Sequence, residues 1–503
     1  MTKFCLLLAA IPVVWAITAD DVTVDQLWRR PLVKSNPEAA SMIPELLVVP
    51  GAIVAKKKPP LSAGDRGTEA ASMIPELLVV PGGLAAKTQP ALRTDDVDVD
   101  LVWRRPLAKT DPTGQAATMG PGLLVVPDTV AQAPDDIVLA FLEVSGPPNN
   151  WTNFSGHAYI NMKRSTDGGK TFGPAVTLVD PPTIYHWVSN VVPVLDVGTP
   201  YGRDPSITMF YTHDNRDTLY IRSKDFGVTW SKPVNVTYIG RPAIGKPTNM
   251  MIHTAFTGPG GGLQLKHGPH AGRLVVPAML EWSDDPACTL WTVCNLLNEH
   301  DFAYLSDDGG QTWRMGNHAG CPPGCGLALH GCYCGDEFEI TELSNGTLLG
   351  VVRHPSMMKD PAGKAWHPSG GGPALTSSHD AGETWTEFRL LQTFPSPGIE
   401  AAILAIPAPG HPGEDIVLLA SDFNDLNRQN MTVAINVDGG RGPWTPKLNV
   451  GVDRTSWSGY VSLARLSSGD VLMMWCTNNG KCANETDTDT DMCLAQLRVT
   501  VSE

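Results

Sequence analysis

The sequence has little charge, few aromatic residues and no long apolar runs past its N-terminus. Charged residues make up 18% of 503 and aromatic residues 7%, against 42% hydrophobic. That balance excludes an intrinsically disordered chain, and the lack of any heptad or Gly-X-Y period excludes a coiled coil or a collagen-like fibre. After the first residues no segment holds 18 or more consecutive apolar residues, so no membrane-spanning helix is expected. Basic residues are scarce as well. Net charge is -15 and the one basic block is Lys56-Lys57-Lys58, so nucleic acid is not an expected partner.

Turn formers are plentiful: 49 glycines and 43 prolines suit many short strands joined by turns. From about residue 100 onward short apolar stretches such as IVLAFLEV, AYINMKRS, SITMFYTH, GRLVVPAML, DIVLLAS and DVLMMWC follow one another, each bounded by Gly, Pro, Asn or Asp. Their β-branched or alternating pattern reads as strand, and no segment carries a helical stripe. The expectation is an all-β chain.

The start, MTKFCLLLAAIPVVWAITAD, has Lys3, an apolar run and small residues, and reads as a secretory signal peptide over residues 1–19. Six N-x-[ST] sequons follow, at Asn150, Asn153, Asn235, Asn345, Asn430 and Asn484. Together these predict a glycosylated protein that is secreted or lumenal, either extracellular or lysosome-like. Cys5 falls in the signal, leaving Cys288 with Cys294, the group Cys321, Cys325, Cys332 and Cys334, and Cys476, Cys482 and Cys493. In an oxidising compartment disulfides are expected over zinc, and the odd count leaves one thiol over.

Two repeats organise the chain. EAASMIPELLVVPG occurs at Glu38–Gly51 and identically at Glu69–Gly82, with a looser copy, QAATMGPGLLVVPD, at Gln115–Asp128. Only the third copy reads on into a second strand, so residues 20–99 are set apart as a repetitive extension with no assigned role and residues 100–503 as the main domain. The second repeat is Ser-x-Asp-x-Gly-x-Thr-[Trp/Phe]. It starts at Ser165, Ser223, Ser306 and Ser378, with a degenerate fifth from Asn436 to Trp444. Each copy fits a locked hairpin: the Asp carboxylate accepts N–H groups across the turn, Gly supplies a positive φ, and the aromatic closes the base. The spacing of the copies suits one four-stranded propeller blade each.

These motifs are Asp boxes, and with them the chain resembles the sialidase (neuraminidase) family, which implies a six-bladed β-propeller. The boxes speak for fold and not for chemistry. The resemblance extends through GPGGGLQLKHGPHAGRLVVPAMLEW and FAYLSDDGGQTWRMG to the segments that would carry a site. Asp336-Glu337-Phe338-Glu339 followed by Glu342-Leu343 is similar to the family's Asn-Glu-x-Gln…Glu-Leu, so the resemblance implies Glu337 as the catalytic Glu. It likewise implies Arg353 and Arg428 as two arginines of the triad that clamps the substrate carboxylate, and Tyr460 as nucleophile. A neutral Tyr suits an anionic substrate, which a carboxylate nucleophile would repel. The implied partners are sialylated glycans of glycoproteins or glycolipids, and no metal or organic cofactor is implied.

Two departures stand beside this match. The family's first strand opens Tyr-Arg-Ile-Pro, whereas Thr118-Met119-Gly120-Pro121 stands here, and Cys476 occupies the place of the Glu that buttresses that Arg. The loop that would carry the acid/base Asp, SGPPNNWTNFSGHAYINMKR, contains no Asp; Asn153 or His157 stands nearest. Arg104 or Arg105 is a candidate surrogate for the missing arginine. The leading expectation is an exo-α-sialidase with a degenerate site. The alternatives are a propeller that binds sialosides without cleaving them, and a protein-binding scaffold.

Overall fold

The computed structural model describes residues 45–49, 52–56 and 91–502, except 110–116, 151–154, 182–185, 199–200, 215–216, 238, 240–250, 284–298, 318–334, 354–371, 392, 425–426 and 483–488. The chain divides into two units, Met1–Pro90 and Ala91–Glu503. In the first, Glu45–Val49 pairs antiparallel with Ala52–Lys56. This corrects the expectation that only the third repeat copy runs on into a second strand. Pro50-Gly51 is turn chemistry, and the Ala-Ile-Val-Ala stretch after it has enough β preference to pair.

The second unit is a six-bladed β-propeller. Blade I comprises Ala117–Val126, Ile137–Asn150, Ser155–Ser165 and Val176–Val179, and blade II comprises Val188–Asp196, Ser206–His213, Asp217–Ser223 and Val234–Asn235. Blade III is built on Met251–Thr257, Leu274–Ser283, Glu299–Ser306 and Arg314–Met315, with Leu263–Gln264 added beside its second strand. Blade IV follows with Phe338–Glu342, Leu348–Val352, Ala374–Ser378 and Arg389–Leu390. Blade V holds Ala402–Pro407, Asp415–Asp422, Met431–Asn436 and Thr445–Asn449. Blade VI contributes Gly459–Arg465, Val471–Gly480 and Thr490–Val501, and its outermost strand is Val97–Lys109, from the start of the unit. Joining the two ends of this unit in one sheet closes the ring.

Six apolar clusters hold the ring together, one between each pair of neighbouring blades. Phe141 of blade I packs with Ile207 and Tyr211 of blade II, Phe210 of II with Tyr304 and Trp313 of III, and Phe338 of IV with Val275 and Leu305 of III. Val417 and Leu419 of V join Leu349 of IV, Trp475 of VI joins Val433 of V, and Leu472 of VI joins Val138 of I. Burial of such side chains contributes about 1.5–3 kcal/mol each.

The Asp boxes behave as their spacing implies. In the first, Ser165 Oγ donates to Asp167 Oδ1 (2.7 Å) and accepts the Gly169 N–H (2.9 Å), while Thr171 donates its N–H to Oδ1 (2.8 Å) and its hydroxyl to Oδ2 (2.5 Å). The same bonds recur at Asp225, Asp308 and Asp380. Slight burial pushes Asp167 up, but these donors outweigh it and hold the carboxyl at about 2. Gly227 and Gly382 sit at φ +87, and a Cβ on either would meet Leu139 or Leu305 of the preceding blade at 2.9–3.0 Å. Glycine therefore serves both the turn and the blade-to-blade contact. In the fifth copy Asn436 Oδ1 takes over the serine's accepting role toward Asp438 and Gly440, and Trp444 is buried.

Candidate active site

Because strands alternate in direction within each blade, the starts of the first strands, the ends of the second and the starts of the third share one end of the propeller. The Asp-box turns, which link third to fourth strands, lie at the other end. Glu337 immediately precedes the first strand of blade IV, Arg353 follows its second strand, and Tyr460 is the second residue of the first strand of blade VI. Residues 123 positions apart in sequence therefore meet at this end. Arg353 donates through Nη1 to Glu337 Oε2 (2.8 Å) and through Nε to the Gly398 carbonyl (2.9 Å), and it lies 3.1 Å from Asp336 Oδ2. Tyr460 is hydrogen-bonded to Glu337. The Arg428 guanidinium lies 5.7 Å from the centre of the Tyr460 ring. Glu337, Arg353, Arg428 and Tyr460 thus form one group.

Burial pushes the Glu337 carboxyl up, and Arg353 opposes it. Burial also holds the Tyr460 phenol far above its ordinary value, with the Glu337 charge adding to the effect. The proton therefore rests on the Tyr oxygen and points at a carboxylate able to receive it.

Tyr460 is in the left-handed region, φ +38, at a bulge where the pairing of Gly459 and Val461 with the second strand slips by one residue. Such a conformation costs about 1–3 kcal/mol for a non-glycine residue and persists where surroundings enforce it. Here the enforcement is visible on both sides. Ser458 donates its N–H to the Arg428 carbonyl (3.0 Å) and its hydroxyl to Asp422, while the Val461 N–H donates to Glu400 Oε2 (2.8 Å).

Several carboxyls around this group were not singled out from the sequence. Glu143, on the second strand of blade I, accepts the Val191 N–H at 3.2 Å and is pushed by burial to about 8, against the N–H groups of Val191 and Asn190. Asp422 is pushed by burial to about 7, with Ser458 and Arg428 opposing. Burial drives Asp301, Glu339 and Glu400 well above the ordinary range. Glu339 Oε1 and Glu400 Oε1 are buried without a hydrogen-bond partner, as expected of protonated acids. The clue to Glu143 was a lone acid inside the apolar run IVLAFLEV; Glu339 stands two residues behind Glu337 in a segment read for the latter, and Glu400 lies outside every motif singled out.

The remaining candidates divide. Met119 lies on the first strand of blade I, opposite Glu143, and packs with Tyr460 against the cluster that includes Cys476. The Cys476 thiol is buried and 3.5 Å from the Thr118 carbonyl. An apolar contact thus stands where the resemblance calls for an arginine and its buttress. Arg104 and Arg105 do not replace that arginine. Both are on the outermost strand of blade VI, where Arg104 donates to the Val450 and Gly451 carbonyls (3.0 and 2.7 Å) and Arg105 to the Gly169 carbonyl. His157 pairs with Asp180, Nε2 to Oδ1 2.8 Å, and Asn153 lies outside the described residues. Cys482 and Cys493 form a disulfide with a Cα–Cα distance of 5.6 Å; the cysteines from Cys288 to Cys334 lie outside the described residues. Asn235 and Asn345 are exposed, whereas the Asn430 amide is half-buried and bonded to the Phe423 carbonyl.

A six-bladed propeller with Asp-box hairpins and a Tyr–Glu–Arg group at its axis defines a narrow class. The BNR/Asp-box repeat model matches residues 304–315. A sialidase of Bacteroides fragilis is 24% identical over 351 residues, covering 65% of this chain and 55% of that protein. Human sialidase-4 is 31% identical over 204 residues, 38% of this chain and 39% of its own length. Among solved structures, a Hadza microbial sialidase superposes with a TM-score of 0.52 at 19% identity, covering 76% of this chain and 66% of that one. The chain carries the Asp-box repeat and the propeller fold of these sialidases, and it spans about half the length or less of the two curated relatives.

Proposed function

We propose that the protein is an exo-α-sialidase that hydrolyses terminal sialic acids from glycoconjugates through a reduced form of the family's site. The observation that supports this most is the Tyr460–Glu337 hydrogen bond beside the Glu337–Arg353 ion pair. In the reaction Tyr460 Oη attacks the anomeric carbon as its proton passes to Glu337, and the glycosidic bond breaks with its electrons on the leaving oxygen. Water then releases the sugar from Tyr460, and the phenol recovers a proton. Arg353 and Arg428 bind the substrate carboxylate. The clamp is weaker than three arginines would make it, by about 1.5–3 kcal/mol for the missing charged contact.

Two features bear on the acid step and on compartment. His157, held by Asp180, is the group we assign to protonating the leaving oxygen; Asn153, four positions earlier in the sequence, is unable to donate a proton in that way. Buried acids outnumber arginines around the axis, and protonation of Asp422 and Glu143 lowers the repulsion felt by an anionic sugar. Sialoside affinity therefore falls as pH rises through about 7–8. That sign suits the acidic lumenal or secreted setting proposed from the N-terminus and sequons.

The test compares an aryl α-sialoside with sialyllactose, in wild type and His157→Ala. An aryl leaving group hardly needs an acid, whereas a sugar does. A missing general acid costs about 10²–10⁴-fold. The variant is expected to lose that factor on sialyllactose and to keep aryl turnover within several-fold. Equal losses on both substrates would remove His157 from the acid role, and no wild-type turnover of either would remove the hydrolase reading.

A further inference from the structure

We propose that His186, His213 and Asp214 form a binding site for a zinc-like divalent transition-metal ion on the rim of blade II, at the same end of the propeller as Tyr460. His186 lies two residues before the first strand of the blade, and His213 ends the second strand, paired directly with Val188. The two rings are stacked, with centroids 5.2 Å apart and planes 24° from parallel. Both turn Nδ1 toward a single oxygen: His186 Nδ1 is 2.8 Å and His213 Nδ1 3.5 Å from Asp214 Oδ2. One ligand atom from each of the three residues lies within 4.8 Å of the other two. Tetrahedral zinc with nitrogen and oxygen ligands at about 2.0–2.2 Å requires those atoms to lie about 3.3 Å apart. The observed separations bracket that figure, so side-chain rotation alone accommodates the ion.

The carboxylate is held for this purpose by the backbone. Its other oxygen, Oδ1, accepts the Trp187 N–H at 3.0 Å, and the Asp214 N–H donates to the Trp187 carbonyl at 2.7 Å. Asp214 itself sits at φ +55, a conformation few residues other than Gly, Asn and Asp adopt readily. The turn therefore keeps a strained residue whose second oxygen, Oδ2, faces two imidazoles. This is the outer-shell support that orients metal ligands. Two imidazoles and one carboxylate select zinc-like ions over calcium or magnesium, which take oxygen ligands. All three side chains are about a quarter to a third exposed (37%, 26% and 27%), leaving a fourth position for water. An ion here would tie the start of the first strand of blade II to its second strand. Four residues beyond His186, Asn190 and then Val191 begin the N–H pair that holds Glu143. The site is a fastening of the rim and takes no part in the proposed hydrolysis.

The experiment uses the untagged full chain, stripped with EDTA and titrated calorimetrically with Zn²⁺, with Co²⁺ as a spectroscopic probe. Wild type is compared with His213→Ala and with Asp214→Asn, the latter chosen because Asn tolerates the same positive φ. The expected result is one saturable site, visible bands of tetrahedral cobalt, and binding at least ~10–100-fold weaker in both variants. If His213→Ala fails to fold, Asp214→Asn decides alone. No saturable binding by wild type, or equal binding by wild type and Asp214→Asn, would overturn the proposal, the latter by locating the ion among other histidines of the 13 in the chain.

Discussion

Tyr460→Phe is expected to lower turnover of an aryl α-sialoside by about 10³-fold or more and to leave the fold in place. The substitution removes one oxygen. That oxygen is the proposed attacking atom, and it is hydrogen-bonded to Glu337; nothing else in the group can form the covalent bond while keeping Glu337 as base. The cost to stability is small by comparison, about 0.5–1.5 kcal/mol for a lost hydrogen bond, because the ring still packs with Met119 beside Cys476. Full-strength hydrolysis by the variant would show that the nucleophile is another group. Unfolding of the variant, seen by circular dichroism, would show that the hydroxyl is needed for the bulge at Gly459–Val461.

The second large effect is on stability. Arg353→Leu leaves Glu337 buried without its cation, and breaking such a pair costs about 3–5 kcal/mol. The pH dependence has a definite sign. Burial already raises Glu337 and Arg353 opposes that rise, so the variant carboxyl titrates higher still. A group with a raised folded value contributes its stability below its unfolded value and loses it as pH rises through the folded one. The variant is therefore expected to approach wild type at an acid pH, where Glu337 goes neutral, and to show the full deficit at an alkaline pH, where it is ionised. Urea unfolding at the two pH values measures it. A deficit that grows toward acid pH would contradict the arrangement of charges described here, and Arg353→Leu combined with Glu337→Gln should recover much of the loss at high pH.

The fold was legible because its signals are local. Each Asp box fits within eight residues, and four copies at blade spacing implied the ring before any contact was known. The closing strand was less visible. Val97–Lys109 reads as one more strand, and only its pairing with Thr490–Val501 marks it as part of the last blade. In the site, Glu337, Arg353, Arg428 and Tyr460 could be picked out by their motif contexts. Glu400 and Asp422 could not, since their work is to hold the Val461 N–H and the Ser458 hydroxyl on either side of Tyr460, and such a supporting role leaves no spacing rule. The surrogate role of Arg104 or Arg105 failed for the same reason: sequence nearness to the first blade said nothing of their position on the outer edge.

The central claim is that Tyr460 forms a covalent bond to the sugar. A fluorinated sialosyl fluoride, which enters the first step readily and leaves the second slowly, tests it directly when the treated protein is analysed by intact mass and peptide mapping. The account predicts one sialosyl adduct per chain, located on Tyr460 and absent from Tyr460→Phe. An unmodified protein that nevertheless binds the sugar, or an adduct on any other residue, would contradict it.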